Sequence, residues 1–290
     1  MWSRRNLLHS SVCCAAHCVT SRSVYAQGAP TAFVCSTVEP HPDPFALPGP
    51  APIEFNGGNS LKINITPFGT AFLSSRWLRD DGQEPGADII KLGVAFLNGN
   101  TTQQATVKAA ADNWNKTSIS KYIVFVFDVD LLKADLRVHF DPGDGNWSYV
   151  GRGAKQIKQQ QKTIAIADVD LLVCEHELGH ALCLQHELQF PGDEIRWNEV
   201  VVIEFMKSLG WSEKTTRSQI LSKLPANAVC IGDPKPNFQS VMTYWTLPGW
   251  AEYKDHADGT WKPLVVQGKQ HITDRDANCV AGIYSYKGHS

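Results

Sequence analysis

Residues 174–187 read Cys-Glu-His-Glu-Leu-Gly-His-Ala-Leu-Cys-Leu-Gln-His-Glu, and no other stretch gathers as many groups able to do chemistry. His176 and His180 are four apart. On a helix they share one face, one turn apart. Two imidazoles at that spacing can hold one zinc ion. Glu177 follows the first histidine, where a carboxylate reaches a water activated by the ion. A surface helix carrying two solvated histidines would be amphipathic. Here Leu172, Val173, Leu178, Ala181, Leu182 and Leu184 make the segment mostly apolar, and a polar group buried among such residues is costly unless it is satisfied.

A catalytic zinc needs a third protein ligand and an open fourth position. His186 is the candidate. Six residues beyond His180, an unbroken helix would rotate it by about 240° and raise it by about 9 Å, out of reach. The chain must therefore leave the helix near position 183. The residue there is Cys183, and a non-glycine residue in left-handed geometry costs roughly 1–2 kcal/mol. A rival third ligand is a downstream carboxylate, Glu199 or Glu204, as in gluzincins.

The elements that must position these groups can be read from periodicity. Residues 89–97 and 122–129 are apolar strands, 136–140 alternates, and 163–167 is a further short strand. Between the first two, Asn98-Gly99 turns the chain. Ala105, Val107, Ala110, Ala111 and Trp114 then mark a helix over 101–114. The zinc helix starts from about Asp170. Residues 197–209 suggest a short helix and 250–270 a surface loop. Thr273 and Asp276 form a capping box for a last helix, with Ala277, Val280, Ala281 and Tyr284 as its apolar face. Strand, helix, strands, helix predicts an α+β layer with the sheet on one side of a cleft. An edge strand there can pair with an extended peptide.

H-E-x-x-H is a metalloprotease signature, and the longer run ending in His186-Glu187 resembles the astacin-type metzincins. Two other segments carry the same resemblance. Ser240-Val241-Met242-Thr243-Tyr244 looks like the Met-turn with its tyrosine, and Asn146-Trp147-Ser148-Tyr149-Val150-Gly151-Arg152 looks like the family's W-S-Y-V-G segment. Together they span roughly residues 88–286. The resemblance implies a metzincin-like zincin fold. That fold is a twisted mixed sheet with two long helices above it and a more irregular C-terminal subdomain ending in a helix. It implies one catalytic Zn²⁺ held by His176, His180 and His186, with Glu177 as general base and Tyr244 stabilising the transition state. Glu187 would anchor the new N-terminus after zymogen cleavage. The substrate would be a peptide or protein. Cys183 departs from the pattern, which has glycine there. That departure keeps open a second reading, an inactive metzincin-like protein that captures peptides without cutting them.

Arg4, Arg5, Leu7, Leu8 and Val12–Ala16, followed by Val24-Tyr25-Ala26, read as a signal peptide over 1–26. Six prolines between Pro40 and Pro52 make 27–85 a linker or pro-segment. Residues 86–290 would be the catalytic domain. Secretion is expected, as a monomer. Five cysteines lie beyond the signal, an odd number, and Cys230–Cys279 is the preferred bridge. Cys35 is read first as a free or disulfide-bonded cysteine, the alternative being a thiolate that blocks the ion. Asn146 opens a glycosylation tripeptide but borders the cleft segment, and is expected to stay unmodified. A formal net charge of −2 with no basic block gives no argument for nucleic acid. No run of 18 apolar residues argues for a membrane span.

Overall fold

Short apolar strands and their turns build the layer on which the rest packs. In the computed structural model, residues 35–38, 71, 75–84, 86–225, 235–268 and 270–285 are described; they belong to a unit running Phe33–Ser290. The strands are β1 (Cys35–Val38), β2 (Ile90–Phe96), β3 (Ile123–Val126), β4 (Leu136–Phe140), β5 (Asn146–Tyr149) and β6 (Ile164–Ile166). Their order across the sheet is β1-β5-β6-β4-β2-β3. β6, β4, β2 and β3 run parallel. β5 is antiparallel to β6, and β1 adds to the outer side of β5 in parallel. Leu92, Val94, Leu136, Val138, Ile164 and Ile166 are all buried, as continuous apolar strands of a parallel sheet must be.

The turn Asn98-Gly99 leads into α1 (Thr101–Asn115). Gly99 has φ +99°, and a β-carbon there would lie 2.4 Å from the Phe140 ring; only glycine fits. Asn100 then caps the helix. Its side chain accepts from Gln103 N–H at 3.0 Å, and Gln103 Oε1 accepts from Asn100 N–H at 2.9 Å, a reciprocal capping box. Val107, Ala110, Ala111 and Trp114 face inward, four of the five positions expected from the spacing; Ala105 is exposed. α1 lies against α2 (Leu171–Ala181), tied to it where Trp114 Nε1 donates to the Glu175 carbonyl at 2.9 Å. The α+β reading holds: one mixed sheet with two helices packed on it.

Beyond α2 come β7 (Ile195–Trp197), α3 (Glu199–Ser208), α4 (Glu213–Thr216) and a π-helical turn at Arg217–Leu221. They are followed by β8 (Ala251–Lys254), β9 (Trp261–Pro263) and α5 (Asp274–Ser285). β7, β8 and β9 form a small antiparallel sheet. Part of residues 250–270, expected as loop, is thus a hairpin. Its strands are short and polar, and β8 is fixed by pairing with β7, more than fifty residues upstream. Periodicity within the segment carries no trace of that pairing. A second core of Leu188, Val202, Met206, Ile220, Tyr244 and Trp250 sits under this half. α5 begins with the expected capping box: Thr273 N–H donates to Asp276 Oδ2 at 2.8 Å, and Asp276 N–H donates to Thr273 Oγ1 at 3.2 Å.

Candidate metal centre and active site

The zinc helix is started by Asp170, whose carboxylate accepts from Leu172 N–H at 2.8 Å, an N-cap bond. It ends at Ala181 in a Schellman motif. Leu184 N–H reaches back to the Gly179 carbonyl at 3.0 Å, and Cys183 N–H to the His180 carbonyl at 2.9 Å. Cys183 takes φ +84°. The bend required by the spacing therefore occurs at the non-glycine residue, and it turns His186 back towards the helix.

His176, His180 and His186 are each fully buried. One nitrogen from each lies within 4.8 Å of the other two. His180 Nε2 and His186 Nε2 are 3.1 Å apart. The outer edges of the rings are pinned by backbone carbonyls. His176 Nδ1 sits 2.7 Å from Val241 O, His180 Nδ1 2.8 Å from Leu184 O, and His186 Nδ1 3.2 Å from Gln219 O. A carbonyl only accepts, so each Nδ1 carries the proton and each Nε2 turns a lone pair inward. Burial pushes all three imidazoles towards the neutral form, His176 down to about 4.

Neutral rings with convergent lone pairs are what a cation needs. Zn–N bonds of about 2.0–2.1 Å in tetrahedral geometry place ligand nitrogens roughly 3.3 Å apart, close to the separation of His180 and His186. Without a cation the facing lone pairs would repel. The donor set fits zinc.

Glu177 occupies the next position on α2 and is fully buried. Glu199 and Glu204 are not brought to the cluster. Both are exposed, and Glu199 pairs with Arg217 at 2.7 Å. His186 completes the histidine set instead.

Met242 lies directly below the helix. A β-carbon on Gly179 would come within 2.4 Å of its Sδ, so the glycine of H-E-L-G-H is the notch that admits the methionine. The turn also supplies the Val241 carbonyl to His176, and Glu187 N–H donates to the Met242 carbonyl at 3.0 Å. The Glu187 side chain accepts from Asn237 N–H at 2.7 Å, which fixes the entry to that turn. Tyr244 places its hydroxyl 3.0 Å from His186 Nδ1 and donates to the Gln219 carbonyl. It stands on the outer edge of His186, opposite the edge that faces the other two rings.

Four contributors were not visible in the sequence. Gln219 acts through its carbonyl, exposed by the π-helical turn, so its side chain gives no signal. Trp77 and Ser75 lie in the stretch read as linker or pro-segment, yet Trp77 is core and its Nε1 donates to the Ala181 carbonyl at 2.8 Å. Ala71 forms an antiparallel bridge with Leu184. A lone tryptophan after a proline-rich run was the available clue. The Asn146 side chain is buried and accepts from Ala167 N–H at 2.8 Å and Asp168 N–H at 3.1 Å, a structural post with no room for a glycan. Cys279 is disulfide-bonded, whereas Cys174 and Cys183 are not joined in a disulfide. Cys230 lies outside the described residues, as does the side chain of Cys35.

No protein-family model and no curated protein matches this sequence. Solved structures do resemble it. A structure of myroilysin aligns with a TM-score of 0.61 at 22% identity, covering 76% of this chain and 100% of that one. The chain has the myroilysin fold. A second, crystal structure of myroilysin aligns at 0.51 and 20% identity, covering 88% and 92%. High choriolytic enzyme 1, a hatching enzyme zinc-protease from the medaka fish Oryzias latipes, aligns at 0.49 and 16% identity, covering 74% and 98%. At these identities the likeness to myroilysin is one of fold. Chemistry has to be argued from this chain's own residues.

Proposed function

We propose that this protein is a secreted zinc-dependent endopeptidase of the astacin type. The observation that carries the reading is the set of three buried imidazoles. Each Nδ1 is pinned by a carbonyl, and the Nε2 lone pairs converge. His176, His180 and His186 would hold the ion. Bound zinc supplies a Lewis acid and lowers the pKa of a water towards ~7. Glu177 takes the proton of the attacking water and returns it to the leaving amine. Tyr244 steadies His186 in the state described. To share the charge of the transition state, its hydroxyl has to leave the Gln219 carbonyl and cross to the inner edge of the ring.

The substrate is a peptide or protein. β5, the W-S-Y segment, is the strand that would receive an extended substrate by backbone pairing. Its outer edge carries β1, with Cys35 opposite Asn146 and Val38 opposite Tyr149. This supports reading residues 35–38 as part of a pro-segment that occupies the substrate's place. Ala71 and Ser75–Trp77 belong with the catalytic domain by their packing. A disulfide at Cys279 suits an oxidising compartment, in keeping with a signal peptide at 1–26. Among the described residues no helix is long and apolar enough to cross a membrane.

The test is Glu177→Gln in the full chain after removal of the N-terminal segment. It should retain one zinc per chain by elemental analysis and lose casein hydrolysis by at least about 10³-fold. Wild-type protein should lose activity to a chelator and regain it with zinc. A Glu177→Gln protein that still digests casein would place the base elsewhere; a wild type that binds no zinc would end the proposal.

A further inference from the structure

The bend that delivers His186 is made by a residue ill suited to it, and the structure shows what holds it there. A left-handed backbone at an L-residue competes with the right-handed alternative. At position 183 the right-handed alternative prolongs the helix and carries His186 away from its fellows. The side chain of Cys183 has contacts on several sides. Its Sγ donates to the Ser75 carbonyl at 2.9 Å and lies 3.3 Å from the Tyr284 hydroxyl on α5. Gly151, at the end of the W-S-Y-V-G segment, leaves the space the sulfur fills: a β-carbon there would sit 2.4 Å from Sγ. The Tyr284 hydroxyl accepts from Trp77 N–H at 3.4 Å, and Trp77 Nε1 closes the circuit on the Ala181 carbonyl. Cys183, Trp77 and Tyr284 are all buried. These contacts belong to the bent state, so they shift the equilibrium towards it.

We propose that Cys183 is a positioning residue of the metal centre. Its thiol, held between the Ser75 carbonyl and the Tyr284 hydroxyl, maintains the left-handed turn that brings His186 to the ion. The inference rests on the zinc reading above and extends it to a residue that touches neither ion nor substrate. It also explains how cysteine stands where the resembling motif has glycine. The side chain supplies by anchorage what glycine supplies by conformational freedom.

The test uses the full chain with Cys183→Ala, Cys183→Ser and Tyr284→Phe. Zinc affinity is measured by competition with a chromophoric chelator, and the ligand set by the visible absorption of the cobalt(II)-loaded protein. Cys183→Ala keeps the left-handed requirement and removes the anchor. It should weaken zinc about tenfold or more and alter the cobalt spectrum. Tyr284→Phe should move both readouts the same way by a smaller factor. Cys183→Ser, which restores a donor, should return affinity to within about threefold of wild type and recover the spectrum. Wild-type affinity and spectrum in both Cys183→Ala and Tyr284→Phe, even with a lowered melting temperature, would overturn the proposal. So would a serine variant no better than alanine. If circular dichroism shows Cys183→Ala unfolded, Tyr284→Phe decides alone. A wild type that takes up no zinc refutes the function reading; unchanged variants of a wild type that does refute only this inference.

Discussion

Two glycines near the metal centre show how much a single missing β-carbon decides, and they differ in what stands in the way. At Gly151 an added β-carbon would lie 2.1 Å from the Ser75 carbonyl oxygen and 2.4 Å from Cys183 Sγ, and the backbone has φ +49°. The nearest obstacle is main chain, which cannot step aside, and the conformation is itself unfavourable for any other residue. Gly151→Ala should therefore cost about 3 kcal/mol or more, seen as a lower denaturation midpoint with an unchanged slope. At Gly179 the obstacle is Met242 Sδ at 2.4 Å, the flexible end of an adaptable side chain. Alanine also gains about 1 kcal/mol of helix propensity over glycine. Gly179→Ala should cost about 1 kcal/mol or less, with a displaced methionine. Equal losses for the two variants would contradict this account of the contacts.

The zinc helix is held from below by a chain of elements running through α5. Ser240 Oγ accepts from Met242 N–H at 2.9 Å and donates to Asp276 Oδ1 at 2.5 Å, and Asp276 also caps α5. Burial holds the Asp276 carboxyl above its usual range, against the hydrogen bonds that lower it. Ser240→Ala removes both bonds and leaves buried polar groups unmet, a loss of about 1–3 kcal/mol. Because the turn offers the Val241 carbonyl to His176, zinc affinity should fall with it; a stability loss at constant affinity would separate the turn from the metal. How legible all this was depends on the range of the interaction. His176, Glu177 and His180 announce themselves because one helix turn sets their geometry. α1 and the α5 cap were readable for the same reason, as were the buried strands. The need for a bend at 183 followed from helix geometry alone. What holds the bend was not readable, because Ser75, Gly151 and Tyr284 come from three distant segments and meet only in the fold. β8 and β9 were hidden likewise, their pairing being long-range and their side chains polar.

At the scale of the whole molecule, stability should depend on pH through a carboxyl far from the histidines. Asp135 precedes β4. It accepts from Gly93 N–H at 2.8 Å, and its own N–H donates to the Gly93 carbonyl at 2.8 Å. Burial raises its pKa from 3.8 to about 6, outweighing the Gly93 hydrogen bond and the nearby charges of Lys155 and Arg137, which lower it, while Asp81 adds to the rise. Arg137 offers little relief because it is committed elsewhere. It is buried and donates to the carbonyls of Gln161, Ala134, Asp135, Ala154 and Ile157. The folded protein thus keeps the Asp135 proton to about pH 6, whereas the unfolded chain releases it near 3.8. Between these values the folded state binds more protons, so stability from this group falls as pH rises and levels off above about 6. Asp135→Asn keeps an acceptor for Gly93 and removes the ionisation. It should stabilise the protein at pH 7.5 by on the order of 1–2 kcal/mol after solvent screening and do nothing at pH 3.5. Urea midpoints of wild type and variant across that range provide the measurement. A constant difference at every pH would mean the substitution acts through packing, and a difference growing towards acid would reverse the sign argued for Asp135.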